Sequence, residues 1–129
     1  EGLISHMPTP NPPFSGYIIR SGILTRLMSW FIPVAAITLW PFIIVNPRYE
    51  SPTLLRHERI HIVQQRELWV LGFYVIYLWD WLRHLLSGSS AQLSYRMICF
   101  EREAYAHDED EGYLDTRPAH QWKKFYWKS

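Results

Sequence analysis

The chain has 129 residues with 13 basic and 12 acidic side chains, a formal net charge of +1. That length suits one domain with a real core, and the charge balance lacks the broad positive footprint that nucleic-acid binding needs. A single cysteine, Cys99, excludes an internal disulfide framework and cysteine-rich zinc modules, while seven Trp, eight Tyr and six Phe promise an aromatic core with apolar surface to spare.

Residues 1–7, "EGLISHM", end in His-Met as expression-vector leaders do, so residues 1–6 are a candidate leader and Met7 a candidate start. No signal peptide is expected, because no basic segment leads into an uninterrupted apolar run. Residues 8–15, "PTPNPPFS", read as an extended, partly disordered lead-in, leaving residues 16–129 as one domain. The charge-free run from Leu27 to Pro47 is long enough to suggest a membrane helix. Pro33, Pro41 and the β-branched, aromatic "ITLWPFIIV" favour two strands instead, over roughly 30–36 and 37–45. Because Pro41 cannot donate to a ladder, the second strand is expected at a sheet edge or with a bulge.

Ser51 and Pro52 predict a helix start, as N-cap and first helical residue. A second, apolar helix is predicted over about 68–86, too short to span a bilayer and so a core or interfacial helix. Ser90 caps a third over about 91–107, and the tail from Arg117 predicts a short basic, aromatic helix. The fold class is therefore α+β: a short sheet or hairpin packed on three to four helices.

The first predicted helix contains "HERIH" at 57–61, an H-E-x-x-H pattern. Residues four apart share a helix face, so His57 and His61 can converge on one zinc ion. Glu58, one step round, is placed to act on a water rather than on the metal. The competing reading is an ordinary solvated helix face. A catalytic zinc needs a third protein ligand and an open position, and "FEREAY" at 100–105 offers Glu101 and Glu103 on a later helix. Two residues apart is about 200° round a helix, so only one of them can face the metal. The other is expected to be solvated or paired with an arginine. By the same phase Cys99 faces away, as a small core residue. Gln64 falls near the His57 face, as ligand-orienting group or polar surface.

H-E-x-x-H followed by a glutamate in a later helix resembles the gluzincin zinc peptidases. "FEREA" resembles the F-E-x-x-A-D signature of membrane-embedded CAAX-processing and heat-shock metallopeptidases, and the small size is similar to the minigluzincins. The resemblance covers about residues 37–107. It implies a zincin-like fold, Zn2+ as cofactor, and His57, His61 and Glu101 as its ligands. The family's aspartate falls on Tyr105 here.

The implied activity is zinc-dependent hydrolysis of peptide bonds in a peptide or protein substrate, with Glu58 as general base. Tyr105 and His107, and also Tyr95 and Arg96, are candidates to stabilise the oxyanion. An edge strand within 37–45 would hold an extended substrate by main-chain pairing. The alternatives are a catalytically inactive zinc-binding interaction module, or a membrane-associated structural protein built on the 27–47 run. A monomer in a cytoplasmic setting is expected, with membrane-surface association left open by the aromatic content. In the tail, Trp122, Phe125, Tyr126 and Trp127 are expected to pack against the 68–86 helix rather than lie across the cleft as a latch.

Overall fold

The computed structural model describes residues 14–30 and 35–127. The expected leader, all but its last two residues, and residues 31–34 of the first expected strand lie outside the described residues. Among the described residues the α+β class holds: a three-stranded sheet and seven α-helices. The elements are β1 (Tyr17–Arg20), α1 (Gly22–Met28), β2 (Ala36–Leu39), β3 (Phe42–Val45), α2 (Pro52–Glu67), α3 (Leu71–Leu86), α4 (Ala91–Met97), α5 (Cys99–His107), α6 (Tyr113–Thr116) and α7 (Lys123–Trp127).

The strand order is β1-β3-β2, with β1 parallel and β2 antiparallel to β3. This corrects the expected strand pair. Both predicted-region strands form a hairpin inside 36–45, and Pro41 sits in its turn after a cis Trp40–Pro41 bond rather than within a strand. The turn position removes any conflict between proline and the ladder, so β3 is central and β2 is an edge. β1 and α1 were not anticipated. They are short, and Ser21 caps α1 by accepting from Leu24 N–H at 3.1 Å. Just before β1, Gly16 has φ +95°, and a Cβ there would lie 2.9 Å from Ile62. The strand can approach α2 only because that residue is glycine.

Ser51 accepts from Leu54 N–H at 3.0 Å and caps α2, with Pro52 in its first turn. α2 packs against the sheet on one side and α5 on the other. His57, Glu58, Ile60, His61, Ile62, Val63, Gln64 and Gln65 are therefore all buried, and the solvated-face reading fails. The predicted 68–86 helix begins only at Leu71. Trp69 and Val70 have φ of 56° and 62°, and the resulting kink separates α2 from α3.

The predicted 91–107 helix is broken at Ile98, which has φ −57° and ψ 132°. Asp80, fully buried on α3, accepts from Cys99 N–H at 2.6 Å and caps α5 from another helix. Behind the site, Phe73, Ile98, Cys99, Phe100 and Trp122 form a core cluster, flanked by Phe125 and Tyr126 of α7. The tail thus packs into the core through Trp122, Phe125 and Tyr126, whereas Trp127 is 81% exposed, against expectation. Among the described residues no helix is long and apolar enough to cross a membrane.

Candidate metal centre

One turn of α2 carries His57 and His61 to the same side, with ring centroids 4.8 Å apart. The break at Ile98 sets the phase of α5 so that Glu101 meets them. His57 Nε2 lies 3.0 Å from Glu101 Oε1, and His61 Nε2 lies 3.2 Å from Oε2. The three residues can present ligand atoms within 4.8 Å of one another and could hold a metal ion. All are buried, at 6%, 5% and 4% exposure.

The hydrogen bonds behind the rings decide which nitrogen faces inward. Gln64 Nε2 donates to Phe100 O at 3.1 Å and to Glu103 Oε1 at 3.0 Å, which turns its Oε1 towards His61 Nδ1 at 2.8 Å. Only an Nδ1–H can satisfy that oxygen. On the other side His57 has a carboxylate at each nitrogen, Asp108 Oδ2 at 3.3 Å from Nδ1 and Glu101 Oε1 at 3.0 Å from Nε2, so its Nδ1–H has an acceptor whenever Nε2 is given up to a cation. With the proton of each neutral ring on Nδ1, both Nε2 atoms would present a lone pair towards the Glu101 carboxylate. The centre is a buried set of acceptors without a donor of its own. His61 Nε2, despite its nearness to Glu101, lacks the alignment for a hydrogen bond and has no such partner.

Such a set demands positive charge. Burial opposes an imidazolium at His61, but the charges of Glu101 and Glu58 outweigh it and push the pKa up to about 9. Burial likewise works against the Glu101 carboxylate. The charge of a protonated His61 and the hydrogen bond with His57 overcome it and hold the group well below the usual carboxylate range. One proton neutralises one nitrogen; a divalent cation would engage all three groups together. The donor set of two imidazoles and one carboxylate fits zinc chemistry.

Around this centre, Tyr77 donates to Glu101 Oε2 at 2.7 Å and Tyr95 to Oε1 at 3.3 Å. Burial and the Glu101 charge push both phenols up, so they stay protonated donors. Glu58 is buried, and its Oε2 accepts from Thr38 Oγ1 at 2.7 Å, which ties it to β2. Its charge reaches His61, Tyr77 and Tyr95.

The other sequence candidates fall in different places. Glu103 points away from Glu101 and is buried against Arg117, Tyr113 and Gln64. Tyr105 sets its ring edge-on to His57, centroids 4.5 Å apart, with the Arg96 guanidinium 4.0 Å from its centroid. His107 is drawn elsewhere: it bonds Asp110 at 2.8 Å, stacks on Tyr113, and faces a small cavity lined by Arg56 and Arg59.

The edge of β2 is not open along its whole length. Gln65 Nε2 donates to Thr38 O at 3.2 Å and its Oε1 accepts from Trp40 N–H at 3.0 Å, so one side-chain amide stands in for a neighbouring strand.

Sequence reasoning missed Tyr77, Thr38 and Asp108. Tyr77 is hidden in an apolar run and Thr38 in a strand of no special pattern. Asp108 reads as part of the acidic run ending a helix, yet its Oδ2 lies 3.3 Å from His57 Nδ1. Comparison of the chain with protein-family models, curated proteins and solved structures finds no match.

Proposed function

We propose that the chain is a zinc-dependent metallopeptidase. The observation that carries this is the buried His57–His61–Glu101 set, with both Nε2 atoms turned towards the one carboxylate and the charge of Glu58 acting on His61. Bound zinc would act there as a Lewis acid, polarising a carbonyl and acidifying a water. His57, His61 and Glu101 would hold it, oriented by Asp108, Gln64 and Tyr77 respectively.

Glu58 takes the proton from the attacking water and returns it to the leaving amine nitrogen. Thr38 fixes that carboxylate by donating to one oxygen, leaving the second free for the proton. Tyr95, a partly exposed phenol, could turn its proton from the long 3.3 Å bond to Glu101 towards charge growing on the carbonyl oxygen. An extended peptide would pair with β2 ahead of the segment that Gln65 occupies.

The occupied Thr38–Trp40 edge favours one second reading, a metal-binding module without turnover. Metal analysis of the purified protein, beside wild type and Glu58→Gln on a casein or peptide-library digest, separates the two. The peptidase predicts about one zinc in both proteins and cleavage lost roughly a hundredfold or more in the variant. Zinc with no cleavage by wild type selects the module; no zinc in wild type refutes both.

A further inference from the structure

α3 is built inside out. Its polar residues Asp80 and His84 are buried, while Leu71, Val75, Leu78, Leu82 and Leu86 face solvent at 73, 61, 62, 37 and 74% exposure. Spacings of four, three, four and four residues place these five on one stripe. Tyr74 and Trp79 widen it, and Trp69, 90% exposed, stands at its N-terminal end. A helix apolar all round is normally covered all round, and this stripe exceeds the scattered apolar side chains of an ordinary surface. At 16 residues α3 is about 24 Å long, too short to span a bilayer but suited to lying along one.

Charge identifies what covers it. Among the described residues every exposed carboxylate lies in 109–115: Glu109, Asp110, Glu111 and Asp115. None is on α2, α3, α4 or α7. The elements joined to α3 present bases instead: Arg66 just before the Trp69 turn, and Lys123 and Lys124 on α7. α7 is tied to α3 by Trp79 Nε1 donating to Tyr126 Oη and by Arg83 donating to Tyr126 O. A second copy of the chain would set these like charges against one another, whereas an anionic lipid surface attracts them.

We infer that the outer face of α3, with Trp69, seats on an anionic lipid bilayer in the plane of its headgroups. This does not depend on the metal centre, which lies on the opposite, Tyr77 side of α3.

The test is flotation of the full chain with vesicles of phosphatidylcholine, alone or with roughly one-third phosphatidylglycerol. Wild type should float with the anionic vesicles, less so as salt rises, and weakly or not at all with the neutral ones. Leu78→Asp/Leu82→Asp should lower partitioning at least roughly tenfold with helicity by circular dichroism unchanged. If that pair disturbs the fold, Leu71→Gln/Leu86→Gln at the two most exposed stripe positions serves, with the same expected direction. Absence of wild-type flotation, flotation indifferent to a folded variant, or a dimer by light scattering that the substitutions dissociate without vesicle binding would each overturn the inference.

Discussion

Replacing Arg117 by methionine tests the polar chain that stands behind His61. The Arg117 side chain is 2% exposed and bonds Glu103, itself 0% exposed, and Glu67 at 2.9 Å. Glu103 in turn holds Gln64, and Gln64 holds His61 Nδ1. Removing the guanidinium leaves a buried carboxylate without its cation, at a cost of about 3–5 kcal/mol, or a fall in Tm of roughly 10–20 °C for a domain this size. The pH dependence carries the signature. Burial works against the Glu103 carboxylate, but Arg117, Tyr113 and Gln64 prevail and lower its pKa below the ordinary 4.5. A depressed pKa means stability present above that ordinary value and lost as pH falls through the folded one. In Arg117→Met burial prevails and the pKa rises, so the deficit should be greatest near neutrality and should narrow from about pH 7 to about pH 5. Urea denaturation across that range reads it directly. The double variant Glu103→Gln/Arg117→Met should recover much of the loss, since the fully buried carboxylate is gone and Glu67, 13% exposed, keeps the His120 N–H. A single variant within about 0.5 kcal/mol of wild type at neutral pH would refute the buried-pair account.

Asp108→Ala should lower zinc affinity roughly 10–100-fold while leaving the fold intact, because it frees the His57 ring without touching a ligand; competition with a chromogenic chelator measures it, and an unchanged affinity would remove Asp108 from the site. Glu101→Gln should abolish stoichiometric metal, which retention of about one zinc per chain would contradict. Metal-free His61 has its pKa raised from 6.5 to about 9, so the His61–Glu101 pair stabilises the apo-protein fully below about pH 6.5 and loses that contribution as pH rises through about 9. Zinc must displace this proton at neutral pH. Calorimetry in buffers of different ionisation enthalpy should then register proton release on binding, and none at about pH 7 would count against the assignment. Deleting residues 119–129 should give an unstable, zinc-poor protein, because Trp122, 7% exposed, packs on Phe100 beside Glu101; a stable variant with higher peptidase activity would instead make the tail a latch.

The local signals were legible in the chain alone. Ser51, Ser90 and the prolines mark helix starts by short-range bonds and fixed φ, and the spacing of His57 and His61 follows from the helix repeat itself. The mutual exclusion of Glu101 and Glu103 is likewise a matter of helical phase. What needed the tertiary structure were the relations between segments distant in sequence. Pro41 says only that a ladder bond is missing; its place in a turn, with β3 central, depends on strand pairing. Ile98 carries no breaker signal, and α5 starts at Cys99 because Asp80, nineteen residues earlier, caps it from within the core. Asp108, Tyr77 and Gln65 have ordinary local contexts, and each gained its role from the residue folding brought opposite. Burial inverted the pattern on α3 in the same way, turning Asp80 inward to a backbone donor and the leucines outward. Local propensity depends on neighbours within a turn or two, whereas the partner that satisfies a buried polar group is chosen by packing of the whole chain.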